Sequence, residues 1–242
     1  VPVISAQSAT QFCDGGSVVL DAGSGYSVYN WSNGKTTQTN TITSSGSYTV
    51  TVTDNIGCSG TSLPVSVVEW IPPIPVVSSS TGQTTYCASS GVYLTTLGGY
   101  SYQWQKSGVN IAGATSQQFT PAVSGSYKVI INDANQCSKT SAAFSVTINS
   151  NPVPVIAGPA TVCQGSTINL SCGTYSLYAW STGSNASSIN VNGAGNFVVT
   201  VTDGNGCTGT SSQKTITVAA LPTPVINALG ATQFCDGGTV TL

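Results

Sequence analysis

A chain of 242 residues has the length of one or two average domains, yet only 5% of its residues are charged, against a usual ~25%. Its five basic residues are all lysines (Lys35, Lys106, Lys128, Lys139 and Lys214), seven residues are acidic, histidine and arginine are absent, and the formal net charge is −2. So little positive charge cannot neutralise a run of phosphates, which excludes nucleic acid as a partner, and without histidine both metal ligation and acid–base catalysis lose their commonest side chain.

The apolar 40% is largely Val, Ile, Ala and Leu in short runs, enough to build cores despite the abundance of Ser, Thr and Gly. No apolar run approaches the ~20 residues of a membrane span, and no signal-peptide pattern opens the chain. With no methionine even at position 1, the sequence reads as a mature or internal segment. Eight cysteines in a chain poor in catalytic groups point to an oxidising, extracellular setting.

The predicted elements recur. In residues 1–72, β-branched and aromatic residues alternate with period two between Gly, Asn and Asp, predicting strands at about 3–12, 16–22, 27–32, 39–43, 46–53 and 60–69. Cys13 opens this unit, Trp31 follows 18 residues later, and the turn Asp54-Asn-Ile-Gly-Cys58 closes it. Pro73-Ile-Pro75 leads into a second unit, residues 73–151, with Cys87, Trp104 and Asp133-Ala-Asn-Gln-Cys137 in the same order. Pro152-Val-Pro154 leads into a third, residues 152–221, with Cys163, Trp180 and Asp203-Gly-Asn-Gly-Cys207. After Pro222-Thr-Pro224, residues 222–242 begin a fourth, and Thr232-Gln-Phe-Cys-Asp-Gly-Gly238 repeats Thr10-Gln-Phe-Cys-Asp-Gly-Gly16 letter for letter, 222 residues on. The opening cysteines stand 74, 76 and 72 residues apart, a fixed period that marks tandem modules. The fourth unit holds only its first strands, too few to bury a core, so a longer polypeptide is expected. Short strands with turn signals every ~8–12 residues predict an all-β antiparallel sandwich in each unit. The paired prolines fix φ and favour extended backbone, so the links are expected to be short and stiff.

Certain residues resemble immunoglobulin-like domains. Trp31, Trp104 and Trp180 take the place of the strand-C tryptophan that plugs such a core. Tyr48, Tyr127 and Phe197, each two residues after a glycine, resemble the residue that starts strand F at the tyrosine corner. Val50, Val129 and Val199 replace the strand-F cysteine, and Cys172 falls at the strand-B position without a partner, as a buried free thiol. The phrases FCDGGSVVL, YNWSNG and GSYTVTVTDNIGC are similar to the Ig-like or PKD-like repeats of giant surface adhesins of gliding Bacteroidota, which the type IX secretion system exports, the SprB-type adhesins among them. This resemblance covers all units. It implies tandem immunoglobulin-like antiparallel sandwiches in an extended rod, at the bacterial cell surface, and it names no ligand.

Two disulfide schemes follow. Pairs within each unit, Cys13–Cys58, Cys87–Cys137 and Cys163–Cys207, would each close a loop that stabilises by ~4 kcal/mol in the chain-entropy model. In an immunoglobulin sandwich, however, the A–B and F–G turns lie at opposite ends, roughly 25 Å apart, whereas a disulfide needs Cα atoms within ~7 Å. The A–B end of one module faces the F–G end of the next, which favours Cys13–Cys137 and Cys87–Cys207 and leaves Cys58, Cys163 and Cys235 for further modules. Trp70, in Glu69-Trp-Ile-Pro-Pro-Ile-Pro75, ends strand G over its own sandwich, plugs the first junction, or serves as a ligand-binding aromatic.

Catalytic, metal and cofactor sites are all expected to be absent. Asp54, Asp133 and Asp203 recur in one turn, but a calcium site wants six or more oxygens, several of them carboxylate, so Asx-turn capping is the expectation, as for Asp14 and Asp236. Facing carboxylates for glycoside hydrolysis and a Gly-x-Ser-x-Gly elbow are both missing. Asn30, Asn169 and Asn185 match the N-glycosylation pattern, an accidental match in a bacterial export route. Tyr26, Tyr29, Tyr100, Tyr102, Tyr175 and Tyr178 cluster around the B–C segments and are expected to fill the rims of the sandwiches. The function that emerges is a structural repeat segment, the stalk of a very long extracellular filament or adhesin that bears reach and load. Its partners are further copies of the repeat in the same chain, with neighbouring filament chains or surface polysaccharide as further candidates. A carbohydrate- or surface-binding module using the tyrosine-rich B–C loops is the alternative.

Overall fold

The computed structural model describes every residue except Phe234 and Leu242. The chain divides into two compact units, Val1–Ile148 and Asn149–Leu242, and the described residues form strands and turns with no helix. The first unit contains two hydrophobic cores and the second contains one.

The first sandwich is made of β1 (Ser5–Ala6), β2 (Gln11–Cys13), β3 (Val18–Asp21), β4 (Val28–Trp31), β5 (Thr39–Ile42), β6 (Gly46–Tyr48), β7 (Val50–Thr53), β8 (Ser59–Thr61) and β9 (Val65–Trp70). One sheet runs β1-β3-β5, or A-B-E in immunoglobulin lettering. Facing it are β2-β9-β6 and β4-β7-β8, which together make A′-G-F-C. Strand B shows why the layers close: Val18 and Leu20 point inward, Val19 and Asp21 outward, and each fully buried aliphatic side chain contributes about 1.5–3 kcal/mol. The buried set (Leu20, Trp31, Ile42, Val50, Val52 and Val67) is the strand set the sequence marks.

The expected strand over 3–12 is two strands on different sheets. Ser5–Ala6 pairs antiparallel with β3, the chain crosses the sandwich, and Gln11–Cys13 pairs in parallel with β9. Strands F and G are also interrupted, F at Thr49 and G over residues 62–64, where Pro64 has no N–H to donate and Ser62 bonds the neighbouring strand instead.

The second sandwich repeats the plan with β10 (Ser78–Ser79), β11 (Thr85–Cys87), β12 (Leu94–Thr95), β13 (Ser101–Lys106), β14 (Val109–Asn110), β15 (Gln118–Phe119), β16 (Gly125–Asn132), β17 (Ser138–Thr140) and β18 (Phe144–Asn149). Sheet β10-β12-β15 faces β11-β18-β16-β13-β14, with β17 paired to β16. An added hairpin, β13–β14, turns on Ser107 and Gly108, both at positive φ (50° and 83°), the backbone that suits a tight hairpin loop.

In the second unit β19 (Thr161–Cys163), β20 (Ile168–Ser171), β21 (Leu177–Trp180), β22 (Ser188–Val191), β23 (Gly195–Phe197), β24 (Val199–Thr202), β25 (Thr208–Thr210) and β26 (Lys214–Ala219) build the same arrangement around Leu170, Trp180, Val199, Val201 and Ile216. Each sandwich is thus an immunoglobulin-like β-sandwich without a strand D. Beyond β26 the expectation of first strands is not met: residues 220–241 form no strand among those described, and Val225, Ile226 and Leu229 stay exposed with no sheet to cover them. Phe234, part of the repeated motif, lies outside the described residues.

A candidate inter-repeat junction

The recurring residues do equivalent work in each sandwich. Trp31, Trp104 and Trp180 are buried, and each indole N–H donates to a carbonyl in the loop between strands C and E, at Thr37 (2.8 Å), Ser116 (2.9 Å) and Ala186 (2.8 Å). A buried indole without that acceptor would leave a polar group unpaired, so the tryptophan fixes the loop as well as the core. Tyr48 donates its hydroxyl to the Ser44 carbonyl (3.0 Å) and Tyr127 to that of Val123 (2.6 Å), the tyrosine-corner bond; Phe197 fills the same place without it. Burial raises the Tyr127 hydroxyl above its ordinary pKa. Val50, Val129 and Val199 are fully buried where a strand-F cysteine would stand. Cys172 is a buried free thiol whose pKa burial raises, but it lies one residue beyond β20, level with Ala22 and Thr96, while Leu170 holds the middle of strand B.

The aspartate turns are backbone caps. Asp54 Oδ1 accepts from the N–H of Ile56 (3.0 Å) and Cys58 (2.9 Å), Asp133 Oδ1 from Asn135 and Cys137 (both 2.8 Å), and Asp203 Oδ1 from Asn205 (2.8 Å) and Cys207 (2.9 Å). One carboxylate oxygen is used on each turn, which holds each cysteine at the tip of its F–G hairpin. One further repeated contact was not anticipated from the sequence. Ser62, Ser141 and Ser211 are buried, and each hydroxyl accepts from the N–H of the strand-F valine (3.1, 3.0 and 3.0 Å). The signal was present, because all three follow the closing cysteine by four residues.

Within the first unit the A–B turn of the first sandwich meets the F–G turn of the second. Cys13 and Cys137 form a disulfide with Cα atoms 5.3 Å apart, across 124 residues of sequence. Beside it Lys139 Nζ forms an ion pair with Asp14 Oδ2, the lysine 28% and the aspartate 36% exposed. Cys13 is level with Trp70, whose carbonyl accepts from the Asp14 N–H (2.9 Å). Trp70 is the half-buried last residue of strand G. Pro72 and Pro75 are buried and Pro73 exposed; in the second unit Pro154 is buried, Pro152 half-buried, and Pro222 and Pro224 exposed.

The within-sandwich pairs Cys13–Cys58 and Cys87–Cys137 are not formed, since Cys13 and Cys137 hold each other. Nor is Cys163–Cys207, because Cys163 is free. The reason is distance: Cys13 lies beside the last residue of strand G and Cys58 just before its first, roughly 35 Å of strand away at ~3.3 Å per residue. Cys58, Cys163 and Cys235 are exposed free thiols, whereas Cys87 and Cys207 are not among the free ones.

The tyrosines of the B–C segments pack inward. Tyr26 and Tyr29 meet edge to face with centroids 5.9 Å apart, and Tyr175 and Tyr178 at 6.2 Å. The hydroxyls of Tyr29, Tyr102 and Tyr178 donate to the carbonyls of Gly23 (2.9 Å), Leu97 (3.1 Å) and Gly173 (3.0 Å) of their own loops. An open hollow of about 370 Å³ beside Leu177, Tyr178 and Asn185 carries no charged group.

No family model and no curated protein matches the chain. Among solved structures, the chain is similar to the three N-terminal domains of the highly immunogenic outer capsid protein of bacteriophage RB49, at 18% identity over 90% of this chain and 100% of that one, with a TM-score of 0.32. It is also similar to the Ig1–Ig3 ectodomain of mouse nectin-like molecule 4, at 12% identity over 90% and 99%, with a TM-score of 0.36. Isoform 6.44 of Dscam1, in its four N-terminal Ig domains, matches at 12% identity over 91% and 73%, with a TM-score of 0.23. The fold assignment rests on the strand order, the buried tryptophans and the tyrosine corners.

Proposed function

We propose that this chain is a stalk: a tandem-repeat segment of a long extracellular filament or cell-surface adhesin, built for reach and mechanical load, and not an enzyme. The observation that carries the reading is the covalent junction in the first unit, where the A–B turn of the first sandwich is bonded to the F–G turn of the second and an ion pair lies beside the bond. A linker meant for motion would be rich in Gly and Ser, whereas here each link is a short proline-bounded stretch. The second bridge of the series, Cys87–Cys207, and repeat boundaries near residues 72, 151 and 221 belong to this proposal. So do a bacterial cell-surface location, export by the type IX route, and partners that are further copies of the repeat, neighbouring filament chains or surface polysaccharide.

The carbohydrate-binding alternative has weaker support, because the hydroxyls of Tyr29, Tyr102 and Tyr178 are spent on their own loops. Small-angle scattering on the oxidised chain, paired with a glycan array, separates the two. An elongated particle with no glycan signal supports the stalk. Micromolar glycan binding abolished by Tyr29→Ala or Tyr178→Ala would replace it with the binding module.

A further inference from the structure

The sequence offers Cys13 several competing partners. Cys58, Cys163 and Cys235 are exposed thiols, and Cys58 sits in an aspartate-capped turn like that of Cys137. Distance excludes Cys58 of the same sandwich, but the closing turns of other copies of the repeat are alike in cysteine and cap, so among those turns something beside the cysteine must choose. The residue after the opening cysteine is Asp14, Ala88, Gln164 and Asp236 in the four units, and the residue two past the closing cysteine is Gly60, Lys139 and Gly209 in the three complete ones. Asp14 and Lys139 are the two that meet, directly beside the disulfide. The glycines are not interchangeable with the lysine. A Cβ on Gly209 would stand 1.8 Å from the Pro152 carbonyl oxygen, and one on Gly60 3.3 Å from the Pro2 ring, because the entering strand lies over the turn. A closing turn thus either lies under its own linker with glycine or carries a lysine that reaches outward.

We propose that the Asp14–Lys139 pair is a pairing key that directs Cys13 to Cys137, so that an opening turn of the form Cys-Asp takes a closing turn of the form Cys-x-Lys. With glutathione disulfide as oxidant, the Cys13 thiolate attacks it, releases one glutathione and becomes a mixed disulfide. The Cys137 thiolate then attacks the Cys13 sulfur and expels the second glutathione, so two protons and two electrons leave the protein for the oxidant. The key acts before the second attack, by holding the Cys137 turn against the Cys13 turn. The same rule assigns the Cys235-Asp236 turn a partner carrying lysine two residues past its cysteine, in place of a glycine turn such as those of Cys58 and Cys207.

The test is oxidative refolding of the reduced full chain in a glutathione buffer, quenched over time and mapped as non-reduced peptides. K139E and D14K are each expected to slow formation of the Cys13–Cys137 peptide by about two- to five-fold, the range open to a half-exposed ion pair, and to let the Cys13–glutathione mixed disulfide accumulate in its place. The swap D14K/K139D restores the unmodified rate. Because the pair is screened by salt, 1 M NaCl slows the unmodified chain by the same factor and leaves K139Q unaffected, a measurement that needs no charge-reversed variant. Rates and products that are indifferent to K139E and to salt, or a swap no faster than its single variants, overturn the key.

Discussion

Single residues differ among the three turns in ways that set measurable stabilities. In the closing turns Gly57 and Gly206 adopt φ of 92° and 80°, and Gln136 holds the equivalent place at 64° with a side chain that disfavours it. Gln136→Gly is therefore expected to stabilise the second sandwich by about 1 kcal/mol, and Gly57→Ala to destabilise the first by a similar amount, as read from urea midpoints. Titration is just as local. Asp21 is held below its ordinary pKa by hydrogen bonds from Gln38, the Gly23 N–H and Gln7, so its ionised form is favoured in the fold. Its contribution is complete above the unfolded value of ~3.9 and is lost as the pH falls through the lower folded value. Tyr86 and Tyr127 are raised by burial, so their contribution is complete below ~10 and is lost as the pH climbs from there through the folded values. With no histidine in the chain, the urea midpoint is expected to stay flat from about pH 5 to 8 and to fall below the carboxylate limit. On the alkaline side it falls first as the pH passes the unfolded thiol value of ~8.5, because burial raises Cys172, and then through the tyrosine limit. A midpoint that moves steadily through pH 6–7 would contradict this.

At the scale of the element, strands B, C, E and F stood in the sequence almost as they fold, because Val18, Leu20, Val50 and Val52 show the period-two burial that a pleated strand imposes. The tryptophan and tyrosine positions were legible for the same reason: their spacing from the opening cysteine is fixed by the strands between them. Strand A reads as continuous in the sequence but folds as two strands, because the crossing from one sheet to the other depends on which neighbour offers free backbone groups, and local pattern does not record that. The serines after the closing cysteines do not stand out in a chain where Ser is common throughout, yet each satisfies a buried N–H on strand F. Replacing Ser141 by Ala leaves the Val129 N–H without its acceptor and is expected to cost about 1–3 kcal/mol in the second sandwich. The same change at exposed Ser138 should cost well under 1 kcal/mol, and equal effects at the two sites would remove the role given to Ser141. Pattern and structure part beyond residue 221: the described residues of 222–241 form no strand, and Val225, Ile226 and Leu229 remain exposed.

For the molecule as a whole, the repeat period announced tandem modules, and the opposite ends of an immunoglobulin sandwich pointed to joining between modules. The ion pair of Asp14 with Lys139 was not legible, since it exists only where two turns 125 residues apart in sequence come together. A bond of this kind changes what tension does, because force applied at the chain ends passes through the Cys13–Cys137 sulfurs and bypasses the residues between them. Stretching single oxidised and reduced molecules by their termini tests this directly. The residues enclosed by the bridge are expected to add at least about 410 Å of contour length only after reduction, at 3.3–3.6 Å for each of the 124 residues spanned. Equal contour lengths with and without reductant would mean that the modules are not joined in this way, and the load-bearing account would fail.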